Sequence, residues 1–521
     1  MAVAKYKHKN FYDVISKHAK EKGNKKALFE GKEKVKYKEL KESIDKVAGY
    51  LHKLDVKKGD RVAILLKNSK EFLYSLFAIQ KLGAIPVPIN TFLKSHEIDH
   101  ILSHSGSKYL ITEKEFKKRL KGIRRIDTLK GVIWKDLDEN GRFNIKWKDL
   151  IQNNENLDVI EKTELDDVAV ILYTSGTTGT PKGVMLTYKN LISNVENIAY
   201  LGKVSDKDRF IVYLPMFHTF TLTATLLLPI YLGGSIVIVR SLFPFSNVLK
   251  EVLLKRVTIF LGVPEVYNAL SKAKLPWYFR FFHKIRYFVS GGSALPESTF
   301  KRMKELFPKS PILEGYGLTE CSPVVSINRP ENPKPNSVGP PLPDYQVKIV
   351  DDEGKELKTG EVGEIIVKGD NVMKGYYKNP EATAEVIKDG WLYTGDLGYL
   401  DKDGYLYIVD RKKDLIISKG INIYPRDIEE VLNKHPDIEV SAVVGKKDHL
   451  AGEIPVAFIV LKEDVDKKTF SELALKIYLK KYLADYKVPK HFYIIDEMPR
   501  NATGKILKRE LKRLLENGTF N

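Results

Sequence analysis

The chain has 521 residues, 43% of them hydrophobic and 10% aromatic, and a net charge of +19 from 86 basic and 67 acidic side chains. That length exceeds one ordinary core and implies about two to four domains, and the hydrophobic and aromatic content fits a globular enzyme and not a fibrous or disordered protein. A lone cysteine, Cys321, excludes a disulfide framework and a cysteine-rich zinc site, and a cytoplasmic location is the expectation.

The first twenty residues contain no continuous apolar stretch and do not read as a secretory signal. "YKELKESIDKVAGYLHKL" (37–54) has helical periodicity, and "DRVAILL" (60–66) is a short apolar strand. "EFLYSLFAIQKLGAIPVPIN" (71–90) reads as helix, glycine stop and strand. Further strands are predicted at "VAVILYTSG" (168–176), "DRFIVYLP" (208–215), "SIVIV" (235–239), "VTIFLGV" (257–263) and "IRYFVSGG" (285–292). Strands alternating with helices predict parallel sheets in a layered α/β body.

Two stretches raise the question of membranes. "FTLTATLLLPIYLGGSIVIV" (220–239) is long enough to span a bilayer, but Pro229 and Gly233-Gly234 divide it into a helix-like half and a strand, as in a buried α–β unit. "KLPWYFRFFHKIRYF" (274–288) mixes aromatics with cations, which fits either aromatic packing between two strands or an interfacial helix on an anionic membrane.

After about residue 336 the texture changes. Short strands with Asp-Gly and Glu-Gly turns in 337–369 and 398–416 predict antiparallel hairpins of a β subdomain. Helices at "PRDIEEVLNK" (425–434) and "FSELALKIYLKKYL" (470–483) surround the strand "PVAFIVL" (455–461), a compact α+β unit. The expected division is therefore 1–410, a large domain of layered α/β subdomains plus a β subdomain, and 411–521, a small α+β domain.

Four motifs carry the chemistry. "YTSGTTGTPKG" (173–183) packs glycine, hydroxyls and a lysine between apolar runs, as a phosphate-binding loop or an ordinary turn would. It is not a Walker A loop, because Pro181 precedes Lys182 and Gly183 follows it, where that motif needs glycine and a magnesium-binding hydroxyl. Downstream come "EGYGLTE" (314–320), "YTGDLGYLDKDGYLYIVDRKKDLI" (393–416) and "PRNATGKILKREL" (499–511). In this order they resemble the adenylate-forming superfamily of acyl-CoA synthetases, adenylation domains and luciferases, from about residue 10 to the C-terminus.

The resemblance implies ATP, Mg2+ and coenzyme A as reactants and cofactor, and a role for each motif. Thr174, Ser175, Gly176, Thr177, Thr178, Gly179 and Lys182 would hold the β and γ phosphates. Glu320 would coordinate magnesium, with Thr319 beside the α-phosphate. Tyr316, between Gly315 and Gly317, would offer a face to adenine, with Gly292 and Ser293 lining the other side. Asp396 and Arg411 would bind the ribose, and Lys505 would reach the substrate carboxylate and α-phosphate. The small domain would be mobile about a hinge at Lys413, with Gly420 on the CoA-facing surface. His218 in "LPMFHTF" would lie between the carboxylate site and the thiol tunnel, or be a packed core residue.

No carboxylate follows His218 until Glu251, which disfavours an amino-acid substrate, and the apolar stretch between them fits a hydrocarbon tail. "FLGVPEVYNAL" and "GYGLTECSPVVSIN" look most like bacterial long- and medium-chain fatty acid–CoA ligases. The alternatives are an aryl or short-chain acid, or acyl carrier protein as acceptor. The +19 charge raises a non-catalytic nucleic-acid- or membrane-binding protein as a remote alternative. Interleaved lysine and glutamate, as in "EKEFKKRLKGIRR" (113–125), instead fit a solvated surface with no nucleic-acid partner. Peripheral contact with an anionic membrane and a homodimer are further expectations.

Overall fold

The structure is a computed structural model that describes residues 6–137, 141, 143–152, 161–174, 181–241, 244–419, 421–467, 470–501 and 504–518. The helix Tyr37–Lys53 shows how local chemistry sets an element. Leu40, Ile44, Val47, Ala48 and Leu51 recur at helical spacing and are buried, and Glu39 turns back to accept the Lys36 amide at 2.8 Å.

The largest sheet has eight strands. Six run parallel in the order Ile312–Gly317, Tyr287–Ser290, Ile259–Gly262, Arg209–Val212, Ser235–Ile238 and Lys26–Glu30, and antiparallel Val324–Ile327 and Glu33–Lys36 form its edges. The central strands Ile259–Gly262, Arg209–Val212 and Ser235–Ile238 are mostly apolar, as fits a parallel sheet covered by helices on both faces. Phe260, Tyr267, Phe288 and Phe307 fill the core on one side, with the Phe260 and Phe288 ring centroids 5.7 Å apart. A second sheet, also parallel, orders Ile85–Pro88, Arg61–Leu65, Tyr109–Thr112, Gly131–Trp134 and Asn144–Lys146.

Val168–Thr174 departs from the parallel expectation. It lies antiparallel to Lys182–Thr187, with Thr174 opposite Lys182, and Gly375–Tyr376 adds a third strand. A parallel return needs a crossover of about a dozen residues or more, and the segment 175–181 is too short for one. The apolar stretch 220–239 forms the turn Thr219–Thr221, the π-helical turn Leu222–Leu227 and the short helix Leu228–Leu232, then enters the sheet at Ser235–Ile238. Among the described residues no helix is long and apolar enough to cross a membrane.

Strand packing accounts for only part of the aromatics of 274–288: Tyr287 and Phe288 lie in the strand Tyr287–Ser290, with Phe288 in the core. The others form the helix Trp277–Phe282, in which Phe279 alone is buried and Trp277, Tyr278, Phe281 and Phe282 are exposed. Of these, only Phe279 has a core to enter, against Phe307.

By contact density the chain falls into two compact units, 1–346 with 367–392, and 347–366 with 393–521. The second unit claims residues 393–410 because Trp391–Leu400 and Leu406–Arg411 form one antiparallel hairpin, with Asp396 opposite Arg411. Its own sheet orders Ile421–Ile423, Ile416–Ser418, Gly452–Leu461 and Ile438–Asp448, with His491–Ile494 parallel to Gly452–Leu461. The helices Pro425–Leu432 and Glu472–Lys480 bury Ile428, Leu432, Leu475 and Leu479 in a core shared with Val443 and Ile459.

Candidate functional site

In an open parallel sheet the carboxyl ends of the strands leave a crevice where loops converge. Here they lead into several of the sequence candidates of the first unit. Arg209–Val212 leads to His218, Tyr287–Ser290 leads to Gly292 and Ser293, and Ile312–Gly317 ends in Gly315, Tyr316 and Gly317. Ser290 stands opposite Glu314 in the register, and the buried Glu314 carboxylate accepts the Leu295 amide at 2.8 Å, tying the 291–295 segment to the neighbouring strand. Gly291 must lack a side chain, since a Cβ there would lie 2.8 Å from the Phe220 ring.

Beyond Gly317 the chain turns through Thr319–Cys321. Thr219 donates from Oγ1 to Thr319 Oγ1 at 3.0 Å, joining the segment after His218 to this turn. Glu320 accepts the Tyr376 hydroxyl at 2.9 Å through Oε1, and the Lys182 Nζ sits 5.0 Å from the centroid of the same Tyr376 ring. Burial, and the Glu320 charge beside it, push the Tyr376 hydroxyl far above its ordinary range, so it stays a donor at neutral pH. Lys182, Tyr376 and Glu320 thus form one run of side-chain contacts, and Thr219 and Thr319 form another on the adjoining residue of the turn.

His218 caps the turn that follows it, its Nδ1 accepting the Phe220 amide at 3.3 Å. The segment from Ser175 to Gly179 lies outside the described residues, as do Gly420 and Thr503. Thr174 and Lys182, which bracket that segment, are register partners. Two antiparallel strands on either side of that segment are a different frame from the strand, loop, helix of a Walker A site.

In the second unit Asp396, buried, faces Arg411 across the hairpin with Nε to Oδ1 at 3.1 Å. Lys412, next in the chain, bonds Glu364 at 2.9 Å and Asp352 at 2.8 Å, which fixes the start of the turn Lys412–Asp414. Lys505 follows Gly504, whose φ of +87° needs glycine, and its amide donates to Asn501 Oδ1 at 2.9 Å. Burial pushes the Lys505 ammonium down to about 8, with Arg411 and Lys413 adding to the effect and Asp396 and Asp414 opposing it. Burial and Arg411 likewise lower Lys413.

The AMP-binding enzyme family matches residues 15–377, and the AMP-binding enzyme C-terminal domain matches residues 427–505. The chain belongs to the AMP-binding enzyme family. Its relatives include a long-chain-fatty-acid–CoA ligase of Salmonella typhimurium, 34% identical over 92% of this chain and 90% of that one. They also include a 2-succinylbenzoate–CoA ligase of a Geobacillus species, 36% identical over 94% of this chain and 95% of that one. Among solved structures, o-succinylbenzoate CoA synthetase from Bacillus subtilis in complex with its acyl-adenylate intermediate superposes with a TM-score of 0.85, 34% identity, and coverage of 97% and 98%. This AMP-binding enzyme therefore has adenylate-forming acid–CoA ligase chemistry, on an acid that the relatives leave open.

In this AMP-binding enzyme the candidate site also contacts residues that no motif announced. Tyr376 lies 56 positions from Glu320, and nothing in its local sequence marks it as a partner. His104, on the helix Ser95–Ser105, is hydrogen-bonded through Nδ1 to the Tyr173 hydroxyl at 2.7 Å, at the entrance of the 173–183 loop. Both are long-range contacts without a period or spacing to betray them. Among the described residues no group of three His, Cys, Asp or Glu could hold a metal ion. A single carboxylate, Glu320, would suffice as the protein's ligand to a magnesium that arrives on polyphosphate, since that ion keeps most of its shell as water and phosphate oxygen.

Proposed function

We propose that this protein activates a fatty acid with ATP and transfers the acyl group to coenzyme A. The observation that carries the acyl choice is the helical stretch after His218. Residues 219–232 hold no charged side chain, and Thr219, Thr221, Leu222, Thr223, Ala224, Thr225, Leu226 and Leu227 are all buried. An ammonium group would find no counter-ion there, whereas a methylene chain would leave only water behind.

In the first step a carboxylate oxygen attacks the α-phosphorus, the bond to the bridging oxygen breaks, and pyrophosphate leaves. Thr174, the 175–180 loop and Lys182 would grip the departing phosphates, and Thr319, oriented by Thr219, would sit at the α-phosphate. Magnesium held through Glu320 would neutralise phosphate charge. Tyr316 with Gly292 and Ser293 would bind adenine, Asp396 and Arg411 the ribose, and Lys505 would offset the charge developing on the pentavalent phosphorus. In the second step the CoA sulfur attacks the acyl carbonyl and AMP leaves. Lys413 is the proposed pivot between the steps and Gly420 part of the CoA-facing surface. His218 would stand between acid and thiol. The mobile domain is taken as 411–521.

Initial-rate measurements over a series of saturated fatty acids, with AMP release as readout, test the substrate. Each methylene buried is worth about 0.8 kcal/mol, so kcat/KM is expected to rise roughly fourfold per added carbon until the cavity is full. An aromatic acid, the class named for the Geobacillus relative, is the second reading. A flat series with 2-succinylbenzoate far ahead of every fatty acid would replace the first reading by the second. Running the panel with acyl carrier protein in place of CoA decides the acceptor.

Tyr376→Phe removes the donor that orients Glu320. The magnesium concentration for half-maximal adenylation is expected to rise by about tenfold, with the KM for the acid unchanged. An unchanged magnesium titration would detach Tyr376 from the metal.

A further inference from the structure

We propose that the helix Trp277–Phe282 and its basic flanks dock this protein onto the surface of an anionic lipid bilayer. Phe279 is 2% exposed and anchors the helix in the core, while Trp277, Phe281 and Phe282 are 69%, 76% and 64% exposed and Tyr278 46%. At helical spacing those four rings occupy an arc of about 140° on one side, away from the anchor. Trp277 meets Tyr278 and Phe282 edge-on, with centroids 6.1 and 6.4 Å apart, so these three rings form one continuous apolar ridge, with Phe281 exposed on the same side.

Charge selects the occupant. No Asp or Glu occurs between Glu265 and Glu297, and Lys272, Lys274, Arg280 and Lys284 are exposed there. Arg286 is excluded from the count because it pairs with Asp208 at 2.7 Å. A second copy of this chain would bring four like charges against four in a self-complementary contact, which disfavours a dimer through this face. A ridge, not a groove, of Trp, Tyr and Phe rimmed by free cations matches the headgroup layer of an anionic membrane, where rings enter the interface and cations meet phosphates. The docking surface does not depend on which acid is activated, since adenylation of a dissolved acid reads the active site and vesicle binding reads the ridge.

The full chain should co-sediment with phosphatidylcholine vesicles containing about one third phosphatidylglycerol, and far less with phosphatidylcholine alone, the binding weakening as salt rises. Trp134 and Trp147 are buried and Trp391 is half-buried, so a blue shift of emission on binding that is lost in Trp277→Phe reports the ridge itself. Phe281→Ser with Phe282→Ser should weaken vesicle binding by at least about tenfold while leaving adenylation of a dissolved acid unchanged. Replacing Lys272, Lys274, Arg280 and Lys284 by Gln should abolish the preference for anionic vesicles. Absence of binding to anionic vesicles at low salt, or binding indifferent to the double serine variant, overturns the proposal. So does a dimer of the parent that the serine variant dissolves without any vesicle binding, or capture of an acidic protein in its place.

Discussion

Lys505→Ala is expected to lower adenylate formation by about 10²- to 10³-fold, the loss that follows removal of one preorganised charge from a developing anion. Thioester formation from supplied acyl-adenylate should stay near the parental rate, because that half-reaction moves charge at the carbonyl and sulfur. Pyrophosphate exchange and single-turnover CoA transfer read the two steps separately, and an equal fall in both would remove Lys505 from its assigned role. The charge state supplies a second readout. With burial and Arg411 holding the ammonium near 8, the lysine is charged at neutral pH and loses its proton as pH rises through about 8. The kcat/KM for adenylation should therefore fall on that alkaline side, and the residual activity of Lys505→Ala should lack this limb.

The same depression fixes the sign of the effect on stability. The unfolded chain holds this proton more tightly than the folded one, so Lys505 opposes folding below about 8, and the penalty fades as pH climbs toward the ordinary lysine range. Lys505→Ala should consequently melt no lower than the parent, which separates a lost charge from a lost fold.

Gly317→Ala is the second large effect, and it acts through the backbone. A Cβ on Gly317 would run into the Pro323 carbonyl, with its carbon at 2.7 Å and Val324 Cα at 3.1 Å. That carbonyl accepts the Leu318 amide at 3.0 Å, and the strand register already shifts between Tyr316 and Gly317. The methyl can be admitted only by parting the strands Ile312–Gly317 and Val324–Ile327, which carries Thr319 and Glu320 out of place. A cost of about 3 kcal/mol is expected, visible as a melting shift of several degrees together with loss of adenylation. Gly315→Ala is the control, because its nearest backbone neighbour, the Ser326 carbonyl, lies 3.2 Å away and needs to give only slightly. Parental melting and adenylation in Gly317→Ala would refute the steric account.

Much of this protein is written in short-range patterns. The helix Tyr37–Lys53, the strands Arg61–Leu65 and Ser235–Ile238 and the hairpin ending at Arg411 occur where apolar period and turn residues put them. These signals act over a few residues, where φ/ψ preference and one-sided burial decide the outcome. The motif order led to the AMP-binding enzyme family for the same reason, since glycine loops and their charged neighbours sit together in the chain. What only the tertiary structure decided is partnership. Which tyrosine holds Glu320 and which rings of 277–282 find a core depend on segments tens of residues away. Lys182 meets Tyr376, and Tyr376 meets Glu320, because three separate stretches of chain fold onto one another. Burial and pairing at that range depend on the whole assembly of strands, and no local period records them.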